Sequence, residues 1–84
     1  CGSAEGVCIA ANKLKGIRAV NPSTTKLAKL AREHNDANVL CLSGWFFSTL
    51  NVKRMIITFL NTHFSKENRH KRRIRKIKGL EQGR

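Results

Sequence analysis

Three short segments of the chain hold the residue types that chemistry needs. The first is Cys1-Gly-Ser-Ala-Glu-Gly6, a glycine-rich turn ahead of an apolar helical pattern. Successive backbone N–H groups from Gly2 to Gly6 can form a nest at a helix start, which suits a phosphate or a developing oxyanion. Cys1, at the edge of such a nest, is placed to act as a base or nucleophile. The second segment is His34-Asn35-Asp36, which ends a helical pattern just before an apolar run. The third is Arg69-His70 with Arg73. Arg69 and Arg73 are four apart and share one helix face. Two guanidinium groups there can grip a phosphate through charge-assisted bonds. Each segment also has a plain structural reading: a tight turn, a surface histidine, a solvated basic helix.

The elements that must position these residues follow from the pattern. Val7 to Leu14 reads as a short helix ended by Gly16, and Ile17 to Val20 as a strand. Asn21-Pro22-Ser23 is a turn, with Ser23 or Thr24 as the cap of the next helix. Leu27, Leu30 and Ala31 mark the apolar face of that helix, which runs to about His34, where Asn35-Asp36 breaks it. Asn38 to Leu42 is a second, apolar strand, of the kind covered on both faces. A third helix spans about Thr49 to Phe64, with Val52, Ile56, Phe59 and Leu60 on one face. Ser65 can cap a last, basic helix from Lys66 to Lys78 that Gly79 ends. Strands alternating with helices mean parallel βαβ units. Two strands alone leave bare edges and little core. The pattern therefore reads as the second half of a doubly wound α/β domain whose first strands lie upstream of Cys1, with residues 66–84 as its basic helix and tail.

Composition narrows the classes. The 84 residues carry 17 Lys+Arg against 5 Asp+Glu, a formal charge of +12. Such a charge invites a nucleic-acid reading, but well over half of the excess sits in the last 19 residues, and the body is only mildly basic. A nucleic-acid partner is therefore not expected. The apolar run from Val39 to Phe47 is broken by Ser43 and Gly44 and falls far short of the ~20 residues of a membrane span. No signal peptide is visible. Cys1, Cys8 and Cys41 match no zinc spacing and read as free thiols of a reducing compartment, with Cys8 and Cys41 packed as small apolar residues. His63 reads as a surface residue. Trp45, Phe46 and Phe47 read as core or as a dimer contact, since no basic residue interleaves them.

Taken together, the segments carry a resemblance that none carries alone. CGSAEG, IAANKLKGIRAV, AREHNDANVLCL, FLNTHF and NRHKRRI stand in the order and spacing of one family, through nearly all of the chain. The chain resembles the C-terminal half of the ribose-5-phosphate isomerase B family, which also includes the galactose-6-phosphate isomerase subunits. The resemblance implies a Rossmann-like, three-layer parallel sheet, of which two strands and their helices are present here. It implies a cytoplasmic homodimer or tetramer with its active site at the subunit interface. The implied reaction interconverts an aldose phosphate and a ketose phosphate through an enediolate, with no metal or organic cofactor.

By the same resemblance, Cys1 matches the cysteine that moves the proton between C1 and C2, and Ser3 the residue that assists it. The N–H groups of Gly2 to Gly6 match the anion hole. His34 matches the residue that opens the sugar ring, Asn35 a substrate contact, and Arg69 and Arg73 the phosphate-binding arginines; His70 is adjacent. Some relatives carry a glutamate just after the turn in place of the cysteine; here that position is Val7, so the Cys1 chemistry applies. Two local departures stand out. Ala4 replaces a usual glycine, which a left-handed backbone would strain, and Ser43 to Thr49 replaces a Gly-Arg-containing loop. Ribose 5-phosphate is the expected substrate. The alternatives are a 6-phosphohexose (allose or galactose 6-phosphate), a basic nucleic-acid-binding module, or an inactive truncated member. The 84 residues alone are expected to be inactive.

Overall fold

The computed structural model describes residues 1–82. Its elements are α1 (Glu5–Ala11), β1 (Ala19–Val20), α2 (Thr25–Asn35), β2 (Val39–Leu40), α3 (Thr49–Asn61) and α4 (Asn68–Glu81). β1 and β2 pair in parallel, Ala19 opposite Val39 and Val20 opposite Leu40. Side chains alternate across this short sheet. Ala19, Val39 and Cys41 pack with Ala4, Cys8 and Ala11 on the α1 side. Val20 and Leu40 pack with Ala31, Ala37 and Phe59 on the side of α2 and α3. The result is the expected three-layer α/β arrangement around a two-stranded parallel sheet.

Side-chain amides finish what the strands leave open. Asn12 Oδ1 accepts the Ala19 N–H at 2.8 Å and its Nδ2 donates to the Ala19 carbonyl at 2.9 Å, the pairing a neighbouring strand would give. Asn38 does the same for the chain entering β1, accepting from Arg18 N at 2.7 Å and donating to the Gly16 carbonyl at 2.8 Å. Both strands, of two residues each, are shorter than the expected 17–20 and 38–42. α1 also differs: the Ser3 hydroxyl accepts the Glu5 N–H at 3.2 Å, so the helix starts at Glu5 rather than Val7. It stops at Ala11, because Asn12 is drawn to β1.

α2 follows its expected limits. Thr24 Oγ1 accepts the Leu27 N–H, and Asp36, at φ 47°, turns the chain out of the helix. The Asp36 carboxylate lies between Arg32 (2.9 Å) and Arg18 (3.3 Å), which ties that turn to β1. The buried faces are rotated from those expected. α2 buries Ala28 and Ala31 while Leu27 is exposed, and α3 buries Met55 and Phe59 while Ile56 and Leu60 are exposed. The small buried residues of α2 let it approach α3 and the sheet closely. The larger apolar residues then point where these two strands offer no layer to cover them.

α4 corrects two further expectations. Lys66 takes a left-handed conformation (φ 61°), so the helix starts at Asn68 with Glu67 as its cap and not with Ser65. Gly79 does not end it. An interior glycine costs about 1 kcal/mol, and the helix nevertheless runs on to Glu81, whose carboxylate accepts the Gly16 N–H at 3.0 Å. Of the expected tail, Gly83 and Arg84 lie outside the described residues. Among the described residues, no helix is long and apolar enough to cross a membrane.

Candidate active site

The Cys1–Gly6 turn sits at the carboxyl edge of the sheet. The Cys1 amine faces the Leu42 carbonyl, just past β2, at 3.5 Å, and Glu5 accepts from Asn21, just past β1, at 2.9 Å. The loop after β2 clasps the turn. Gly44 N–H donates to the Cys1 carbonyl (3.0 Å) and Trp45 N–H to the Gly2 carbonyl (3.1 Å). The buried Ser43 hydroxyl donates to the same Gly2 carbonyl at 2.6 Å and accepts the N–H groups of Trp45 and Phe46. Trp45 lies flat over Gly2, so that a Cβ at Gly2 would fall 2.4 Å from its ring. Glycine is favoured there by this close approach rather than by its φ.

The left-handed residue of the turn is Ala4 (φ 69°, fully buried). Three N–H groups follow it at the start of α1. Ser3 takes that of Glu5, while Gly6 and Val7 N–H have no partner among the described residues. Cys1, a free thiol, is exposed beside them. Cys41 is buried against Cys8, and burial, with Cys8 alongside, raises its pKa and keeps it a thiol. Both thus behave as the packed residues expected. Of the two readings of Trp45 and Phe46, core or dimer contact, the first fails: they are 76% and 73% exposed. A one-residue step after buried Ser43 puts them outside.

The second group lies at the opposite edge. His34 lies in the last turn of α2, and α2 runs back along the sheet for eleven residues, about 16 Å at 1.5 Å per residue. His34 stacks on His70 of α4, ring centroids 4.2 Å apart and planes 29° off parallel. His70 is 1% exposed, and its Nδ1 lies 2.6 Å from the Ser65 hydroxyl. Burial pushes the His70 imidazole below the usual histidine value, helped by His34, Arg69 and Arg73 and opposed by Glu67. Arg69 pairs with Glu67 at 3.4 Å, and Arg73 is exposed one turn further on. Asn35 is exposed; its carbonyl accepts from Arg18.

Within one chain the structure therefore gathers Cys1, Gly2, Ser3 and Gly6 at one edge and His34, Arg69 and Arg73 at the other. It adds to the second group His70, whose adjacency in sequence hides its burial, and Ser65. To the first it adds Ser43 and Trp45. A serine placed directly after an apolar strand and before glycine was the available signal for Ser43.

Comparison with known proteins fits this geometry. The profile of the family described as Ribose/Galactose Isomerase matches residues 1–77. The chain belongs to this family. A probable ribose-5-phosphate isomerase B of Mycoplasma genitalium is 47% identical over 77 residues, covering 92% of this chain and 50% of that protein. The solved type B ribose 5-phosphate isomerase of Trypanosoma cruzi is 44% identical and superposes with a TM-score of 0.98, over 100% of this chain and 56% of that one. The Mycoplasma genitalium structure with bound ribulose 5-phosphate is 45% identical, with a TM-score of 0.93 over 98% of this chain and 53% of that one. The chain spans about half the length of the relatives it matches.

Proposed function

We propose that this chain is the carboxyl-side part of a cytoplasmic aldose–ketose isomerase that interconverts ribose 5-phosphate and ribulose 5-phosphate through an enediolate. The observation that carries the reading is the close superposition on a relative that holds ribulose 5-phosphate. Abstraction of a proton next to a carbonyl needs a base at the carbon and stabilisation of the oxyanion. Cys1 takes the proton from one of C1 and C2 and returns it to the other, and Ser3 assists. The N–H groups of the Gly2 to Gly6 turn that Ser3 does not take hold the enediolate oxygen. His34 opens the sugar ring, Asn35 contacts the substrate, and Arg69 and Arg73 bind the phosphate.

The two groups are about a helix length apart in one chain, too far for one pentose phosphate to bridge. A homodimer resolves this if the His34 end of one copy lies over the Cys1 turn of the other. The 84 residues by themselves turn over little substrate. The test measures ribose 5-phosphate conversion by this chain, and by the same chain joined to the amino-terminal half of a relative, with allose and galactose 6-phosphates as comparison substrates. Conversion of ribose 5-phosphate by the joined form, lost in Cys1→Ala, is the expected result. Normal turnover by Cys1→Ala would remove the proposed proton carrier, and a preference for a hexose phosphate would move the substrate.

A further inference from the structure

Ser65 takes no part in the roles proposed above, yet it is held from several directions. Its N–H donates to the Glu33 carbonyl at 3.0 Å, which pins it beside the end of α2. Its hydroxyl accepts the Glu67 N–H at 3.2 Å and lies 2.6 Å from His70 Nδ1. The left-handed Lys66 closes the turn between them. A serine hydroxyl has one proton and two lone pairs. One lone pair serves Glu67, and the proton has no acceptor among the described residues other than His70 Nδ1.

The ring's other nitrogen behaves differently. Nε2 makes no hydrogen bond among the described residues, and no fully buried side-chain polar atom there lacks a partner. Nε2 is thus the ring atom on the side that remains open. The groups that face this imidazole are His34 from α2, Glu67 from the cap, and Arg69 and Arg73 from α4. Three of the four oppose a second proton on the ring. Glu67, 3.7 Å from Nδ1, favours one but is out of hydrogen-bond reach.

We propose that Ser65 is a positioning residue: its hydroxyl donates to Nδ1 and holds His70 as the neutral Nε2–H tautomer. The ring stacked on His34 then presents a fixed hydrogen-bond donor, rather than an acceptor, to an oxygen of the ligand between His34, Arg69 and Arg73. The benefit to turnover rests on the isomerase reading. The tautomer itself does not, so the two can fail separately.

The experiment is a long-range proton–nitrogen correlation spectrum of the nitrogen-15-labelled chain at pH 7.5, followed through an acid titration. The three histidines make assignment simple. The expected wild-type spectrum shows His70 with Nδ1 bare and Nε2 protonated. In Ser65→Ala the carboxylate of Glu67 becomes the nearest polar partner. The Nδ1–H form then gains population, and the titration midpoint rises by about half a pH unit or more. Ser65→Thr, which keeps the hydroxyl, restores the wild-type pattern. A wild-type spectrum with the proton on Nδ1 overturns the proposal, and needs no variant to fold. So does a folded Ser65→Ala with unchanged tautomer and midpoint. An inactive joined enzyme whose His70 is Nε2–H would sink the isomerase reading and leave the positioning intact.

Discussion

At the carboxyl edge of the sheet, main-chain groups of Cys1 and Gly2 hydrogen-bond to Leu42–Trp45, and the thiol and the Trp45 ring stand in solvent. At the other edge the imidazole of His70 is enclosed by His34, Ser65 and Glu67. The first site is built of backbone and stands open; the second is built of side chains around an imidazole that is buried except toward its Nε2. A backbone site survives the loss of its side chains but is sensitive to any atom added between its strands of chain. A site built on a packed side chain is sensitive to that side chain's deletion.

The sharpest break of this comparison is His70→Ala against Cys1→Ala. Removing the enclosed ring deletes its stacking and its hydrogen bond and leaves the Ser65 proton without an acceptor. We expect a loss of about 2–4 kcal/mol in urea unfolding. Cys1→Ala removes an exposed thiol and should stay within about 0.5 kcal/mol. Equal costs at the two positions would mean that both ends are held alike.

Gly2→Ala tests the opposite sensitivity. The added methyl meets the Trp45 ring at 2.4 Å. The ring is mostly exposed and can swing into water, so the stability cost should be about 1 kcal/mol rather than the ~3 kcal/mol of an overpacked core. The displacement should instead appear in the emission of Trp45, the single tryptophan, as a shift to the red. In a Trp45→Ala background the same Gly2→Ala change should cost less, which a double-mutant cycle measures. Additive costs would show that the ring does not rest on Gly2.

A smaller, pH-dependent difference separates the ends. The folded His70 binds its proton more weakly than the unfolded one. Stability should therefore be level above the unfolded value near pH 6.5 and fall as the pH drops from there through the lower folded value. Unfolding midpoints at pH 7.5 and 5.5 measure this, and His70→Gln should flatten the difference. A midpoint that rises on acidification would reverse the sign given to His70.

These contrasts also explain what the sequence made legible. The order of elements, the Thr24 cap and the Asp36 break depend on neighbours in the chain, and each stands where local chemistry puts it. The family motif likewise is a matter of consecutive residues. What could not be read locally depends on partners distant in sequence. Asn12 supplies the edge of β1 from seven residues away, Glu81 carries α4 past Gly79 by reaching Gly16, and Ser43 joins Gly2. The buried faces of α2 and α3 failed for a related reason. Periodicity gives an apolar stripe, but which part of the stripe is covered depends on what layer lies opposite. The grouping of His34 with His70 required two helices to meet, and only the fold could supply that.

Ala4 gives the finest test, because its opposing terms nearly cancel. A left-handed alanine costs roughly 1–2 kcal/mol more than a glycine in the same conformation. Ala4→Gly recovers that strain. It also empties the space of one fully buried methyl, about 1 kcal/mol, and frees the unfolded chain by roughly 0.5–1 kcal/mol. The net change in unfolding free energy should lie near zero. Gly16 provides the control: it is left-handed too (φ 81°), but nothing stands within 4 Å of where its Cβ would be. Gly16→Ala therefore adds strain with no packing to recover, and should cost about 1 kcal/mol. If Ala4→Gly instead stabilises by more than that, the methyl is poorly packed and the turn carries strain that the core does not repay. If it destabilises by as much, the Ala4 contact with Ala19 and Cys41 is what holds the turn onto the sheet, and the backbone site depends on a buried methyl after all.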